Sequence, residues 1–287
     1  MIDGATVHRL ERLGLRLNRD LRSGLMGEHR AVRRTAGIEF ADYRPYTRGD
    51  DLRRVDWNAY ARLGTLHIRQ AQAEHDTALY LLVDASPSMD IGQPSKFLAA
   101  RRLAAALGYV ALTHLDAVRL AAPGAAVGCD LTLRGRTAAG ALFHALQDLR
   151  PGQTATFDAV LAGWSARGSV GHLAILISDL LLDGYQAGVR RLVNAGFTVV
   201  VLHLLSPEEL QPPSDGELAL IDSETGARLD VRLGDESRAA YIRRVAEWLA
   251  ECEAWCKGQG ALYCRVQSDW ATERVLRETL RRRGIVL

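Results

Sequence analysis

Lysine is nearly absent from this chain of 287 residues: Lys96 and Lys257 are the only two, and arginine carries the remaining basic charge. The formal net charge is only +2, which removes any global electrostatic argument for a nucleic-acid or membrane-surface partner. No run of about 18 apolar residues occurs, so no membrane span is expected. The chain does not open with a charged start leading into an apolar run, so no secretory signal is expected and a cytoplasmic setting is. Catalytic signatures are missing too. There is no P-loop and no His-Glu-x-x-His, and Arg167-Gly168-Ser169-Val170-Gly171 lacks the first glycine of a nucleophile elbow. The eight histidines fall in no recognisable catalytic spacing. Catalytic residues: none are expected, and the chain reads as a binding protein rather than an enzyme. The four cysteines (Cys129, Cys252, Cys256 and Cys264) form no Cys-x-x-Cys pair, and they read as small apolar residues of a reduced protein.

What is present is a core. An apolar share of 48% against 24% charged residues suits a globular protein of one large or two modest domains. Residues 5 to 34 carry Leu10, Leu13, Leu17 and Leu21 at helical spacing among arginines. They read as an amphipathic helix packed on the main domain, with a membrane-surface helix as the alternative. Residues 36 to 76 suggest strands at Ile38–Phe40 and Leu66–Ile68 around a loop-rich middle, Arg44 to Arg62, dense in arginine and aspartate. Arg48-Gly49-Asp50 reads as a turn.

From Thr77 an alternating rhythm begins. Strands are expected at 78–83, 117–122, 172–177, 198–205 and 261–266, with a short edge strand at 129–133. Helices are expected at 96–115, 137–149, 157–166, 185–194, 237–257 and 272–283. Pro207, Pro212 and Pro213 break the rhythm, and a hairpin turning at Ser223-Glu224-Thr225-Gly226 is inserted at about 216–233. This pattern implies an α/β fold, a mostly parallel sheet with helices on both faces. The expected organisation is a segment 1–76 (N-terminal helix plus β/loop block) followed by a domain 77–287.

In such sheets, ligands gather beyond the carboxyl ends of the strands. Three segments fall there: Asp84-x-Ser86-x-Ser88, Gly152-Gln153-Thr154, and Ser178-Asp179. Serine and threonine hydroxyls with one or two aspartates are oxygen donors of low total charge, suited to Mg²⁺ or Mn²⁺. Such a set under-neutralises the ion and leaves a position that an acidic group of a protein partner can complete. Asp and Ser are also ordinary turn and cap residues; it is the order Asp84, Ser86, Ser88, Thr154, Asp179 along one sheet edge that points to a metal. Thr156 competes with Thr154 for the same role.

Those five residues resemble the metal-ion-dependent adhesion site of von Willebrand factor A domains. A longer block is more specific: Gly37 to Tyr46, then Gly49-Asp50-Asp51, then Arg54 to Arg62. It resembles the hallmark of the domain-of-unknown-function 58 family, in which it precedes a von Willebrand A-like domain; the resemblance spans residues 25 to 287. It implies a bacterial protein that works with a MoxR-type AAA+ ATPase, or that enzyme's client, in assembly or maturation of other proteins. Within the block, Arg44, Tyr46, Arg54, Asp56, Trp57 and Arg62 are candidate partner-binding residues, since arginine and aromatic rings dominate interface hot spots. An internal ion-pair network is the alternative, and the interleaved acids argue against a nucleic-acid surface. Two other functions compete with the metal-dependent adaptor: a metal-assisted hydrolase or phosphotransferase using Asp84, and a scaffold with a degenerate metal site.

Overall fold

The computed structural model describes residues 43–47, 55–69, 78–114, 117–152, 172–181, 184–212, 216–221, 223 and 226–286. They fall into two compact units, one within 43–69 and the other from 78 onward. The expected N-terminal helix, the strand at 38–40, the Arg48-Gly49-Asp50 turn and the helix at 157–166 lie outside the described residues.

In the smaller unit, β1 (Tyr43–Pro45) pairs antiparallel with β2 (His67–Arg69), Arg44 opposite Ile68. The middle expected to be loop-rich contains a helix, α1 (Trp57–Leu63). Its signals are local. The Asp56 carboxylate accepts the Ala59 N–H at 3.0 Å as an N-cap. Gly64 closes the last turn with φ +68°, its N–H bonded to the Tyr60 carbonyl. The dense surrounding charge masked a capped helix.

The larger unit is built on six strands in the order β10-β7-β6-β3-β4-β5. These are β3 (Ala78–Val83), β4 (Ala117–Ala121), β5 (Asp130–Arg134), β6 (Leu173–Ser178), β7 (Thr198–Leu205) and β10 (Leu262–Gln267). All neighbours are parallel except β5, which runs antiparallel beside β4 at one edge. Central strand β3 is buried along its whole length, which is why it reads as an unbroken apolar run. Leu79, Leu81 and Val83 face one core with α2 (Lys96–Thr113) and α3 (Ala139–Asp148). Tyr80 and Leu82 face the opposite core with α4 (Tyr185–Asn194) and with Cys252 and Cys256 of a long helix, Asp235–Gly258. The period of two along β3 thus feeds both layers. Gly108 on α2 lets α3 approach: a Cβ there would lie 2.5 Å from Leu142 Cδ2.

The hairpin forms as β8 (Gly216–Ile221) and β9 (Arg228–Leu233), with Leu220 opposite Leu229. Two local details add to these expectations. The proline break holds a short helix, α5 (Pro207–Leu210), started by a capping box between Ser206 and Glu209. The last helix, expected at 272–283, forms over 272–282, with its middle, Val275–Leu280, widened to a π-helix.

Candidate functional site

After β3 the chain builds β4 on one side of it, then returns to place β6 on the other. The connections therefore diverge between the carboxyl ends of β3 and β6, where a parallel sheet opens a crevice. Asp84 ends β3 and Ser178-Asp179 end β6. The two ends are tied: the Asp84 N–H donates to the Ile177 carbonyl at 3.0 Å, and Ser178 Oγ donates to Asp84 Oδ2 at 2.5 Å. The other oxygen, Asp84 Oδ1, accepts the Ser86 N–H at 2.9 Å. Ser86 Oγ and Ser88 Oγ lie 3.0 Å apart, and Ser88 stands in a single 3₁₀ turn (Pro87–Asp90) opened by Pro87. Asp84, Ser86, Ser88, Ser178 and Asp179 are all buried.

Burying a carboxylate raises its pKa, and a second carboxylate nearby raises it further. Burial first and Asp179 second push Asp84 up to about 6, against the opposing hydrogen bonds from Ser178 and Ser86. Keeping Asp84 ionised in this buried position is therefore costly. One carboxylate beside two converging hydroxyls is the donor set of a hard cation, and an ion there would relieve that cost. Among the described residues no cluster of three or more His, Cys, Asp and Glu side chains that could hold a metal exists.

The backbone after Asp179 is strained. Leu180 has φ +58°, a left-handed conformation uncommon for a bulky residue. Two side chains hold it: Ser178 Oγ accepts the Leu180 N–H at 2.9 Å and Asp179 Oδ1 accepts the Leu181 N–H at 3.1 Å. The second Asp179 oxygen has a partner that the residue-type argument missed. Lys96 Nζ donates to Asp179 Oδ2 at 2.9 Å and also to Glu209 Oε1. Lys96 is wholly buried, at the first turn of α2 behind its Ser95 N-cap. Sequence offered two hints: one of only two lysines directly follows the Asp84 loop, and Ser206-Pro207-Glu208-Glu209 spells a capping box.

The third predicted segment reaches the site through Gly152, whose N–H donates to the Ala85 carbonyl at 3.1 Å. A Cβ at Gly152 would lie 2.5 Å from Ala126 N and 2.6 Å from the Gly124 carbonyl oxygen, so only glycine fits that approach. Thr154 and Thr156 lie outside the described residues. In the smaller unit Trp57 is 60% exposed and stands edge-on to exposed Tyr60, 6.3 Å between ring centroids. Arg62 is exposed, and Tyr46 and Asp56 are half-buried. Arg44 lies on β1, and Arg54 is outside the described residues.

The family described as "protein of unknown function DUF58" matches residues 42–250, a span holding α1, the Asp84 loop, Lys96, Asp179 and Glu209. The chain belongs to the DUF58 family. Uncharacterised proteins of Mycobacterium bovis and Mycobacterium tuberculosis are each 28% identical over 290 residues, covering 96% of this chain and 89% of theirs. Among solved structures it is similar to the conserved hypothetical protein BatB of Bacteroides thetaiotaomicron: 16% identity, 72% of this chain and 98% of that one, TM-score 0.44. It is also similar to the von Willebrand A domain of SpRpn10, at 14% identity, 71% and 96% coverage and a TM-score of 0.41. No helix among the described residues is long and apolar enough to cross a membrane.

Proposed function

We propose that this DUF58 protein is a non-enzymatic, cytoplasmic binding module whose crevice takes Mg²⁺ or Mn²⁺ and, through that ion, an acidic group of a protein partner. One observation carries the proposal: a buried carboxylate, Asp84, sits at the strand crossover beside two hydroxyls, Ser86 and Ser88, 3.0 Å apart. Asp84 would supply the ion's one strong anionic ligand. Ser86 and Ser88 would supply neutral oxygens, with Thr154 as a further ligand and Asp179, whose oxygens already accept from Leu181 and Lys96, as the member of the set that adds least charge. Bound there, the ion supplies a positive charge that the chain only partly balances. Ser178 holds the Asp84 carboxylate in place, and the backbone link from Gly152 to Ala85 holds the loop.

The partner suggested by family resemblance is a MoxR-type AAA+ ATPase or its client, with exposed Trp57 and Arg62, and with Arg44, Tyr46, Arg54 and Asp56, as further contacts. The test is co-purification of the full chain with its cognate ATPase in Mn²⁺, in EDTA, and as Asp84→Ala. Binding should require the ion and vanish in the variant. A pull-down indifferent to both EDTA and the substitution overturns the metal bridge.

A further inference from the structure

A fully buried ammonium is costly unless carboxylates meet it, and no arginine and no other lysine is buried among the described residues. Lys96 is met by two acids from different elements: Asp179 at the end of β6, and Glu209 of α5. Glu209 is itself fixed. Its Oε2 accepts the Ser206 N–H at 2.7 Å, and its N–H donates to Ser206 Oγ at 3.3 Å. The Glu209 carbonyl accepts the Tyr241 hydroxyl at 2.9 Å. The ammonium is thus held from both ends, and it uses up the Asp179 oxygen that faces it.

We propose that Lys96 is a specificity-determining residue of the crevice: a resident cation that consumes the charge of Asp179, so that a divalent ion at Asp84, Ser86 and Ser88 stays under-neutralised and selects an acidic group on the partner. This rests on the metal-binding reading above. Charges a few ångströms apart in a poorly screened interior interact strongly. With Lys96 in place, the ion is repelled by the ammonium and finds Asp179 already balanced, which leaves Asp84 as its main counter-charge. Its unspent positive charge is what a partner's carboxylate answers. Without Lys96, Asp179 would be free to neutralise the ion from within, and the need for an outside acid would fall. Glu209 works the other way, drawing part of the ammonium's charge away from Asp179.

The two flanking substitutions therefore shift the site in opposite directions, which simple structural damage would not do. The experiment is calorimetric titration of Mn²⁺ alone into the full chain and into Lys96→Met and Glu209→Gln. Lys96→Met should bind Mn²⁺ about tenfold more tightly, and Glu209→Gln about threefold to tenfold more weakly. A second readout is water-proton relaxation enhancement by bound Mn²⁺ during addition of acetate. Acetate should displace water from the ion in the natural chain and lose most of that effect in Lys96→Met. Folded Lys96→Met with unchanged or weaker Mn²⁺ binding, or Glu209→Gln with tighter binding, overturns the proposal. If Lys96→Met does not fold, Glu209→Gln decides alone. A natural chain that takes up no Mn²⁺ at millimolar concentration overturns the metal reading and this proposal together; a natural chain that binds Mn²⁺ while the variants leave affinity unmoved overturns only the proposal.

Discussion

Ser178 Oγ donates to Asp84 Oδ2 across 2.5 Å and accepts the Leu180 N–H at 2.9 Å. One hydroxyl thus fixes the carboxylate at the end of β3 and the left-handed turn that follows β6. Removing it leaves a buried carboxylate oxygen and a buried N–H short of a partner, a loss of about 1–3 kcal/mol. Ser178→Ala is expected to lower stability by that amount in urea melts and to weaken Mn²⁺ binding several-fold. Unchanged stability and unchanged Mn²⁺ affinity together would mean the bond organises nothing.

Burial, and then the neighbouring Asp179, push the Asp84 carboxyl up to about 6 in the folded chain, against an ordinary 3.8. In metal-free protein, the folded state therefore holds a proton between pH 4 and 6 that the unfolded state has released. Stability must fall as pH rises through that window, and above pH 6 the ionised group costs about 3 kcal/mol. Asp84→Asn is expected to be more stable than the natural chain by about 1–3 kcal/mol at pH 7.5 in EDTA, with the gap closing by pH 4.5. Added Mn²⁺ should stabilise only the natural chain, and less so below pH 6, because the ion competes with the proton. A variant less stable than the natural chain at pH 7.5 in EDTA would refute this sign.

His203 works against Asp84 in the same pH range. It is buried on β7, with Nδ1 hydrogen-bonded to the Tyr263 hydroxyl at 2.7 Å and its ring edge-on to Trp248. Burial holds its pKa down at about 4, against an ordinary 6.5. The neutral ring therefore contributes stability that is complete above pH 6.5 and is lost as pH falls toward 4, about 2–3 kcal/mol by pH 4.5. His203→Phe is expected to flatten the acid limb of the stability profile, whereas Asp84→Asn steepens it. Parallel acid limbs in His203→Phe and the natural chain would show that the imidazole takes up its proton equally in the folded and unfolded states.

Gly152 touches backbone atoms of Ala126 and Gly124 closer than any Cβ tolerates. Backbone cannot swing aside as a side chain can, so Gly152→Ala should cost about 1–3 kcal/mol. It should also loosen the Ala85 contact and reduce Mn²⁺ affinity. Gly108→Ala is the comparison, since the atom it meets is the end of the Leu142 side chain, and its cost should be smaller. Equal stability loss in the two variants, measured by thermal melts, would count against this account.

Sequence by itself determined the sheet, because β3, β6 and β7 are buried on both faces and must be continuous apolar runs. It also determined the edge on which Asp84 and Asp179 fall, because strand polarity follows from alternating strands and helices. The hallmark block placed the chain in its family, while α1 inside it was missed because its cap and stop signals lay among charges that read as loop. Only tertiary structure decided what balances Asp179. Lys96 and Glu209 stand 113 residues apart, and no periodicity links the start of α2 to the turn after β7. They meet because α2 packs on one face of a sheet in which β3 and β7 both border β6, so three strand or helix ends converge where the chain's one buried lysine has nowhere else to place its charge.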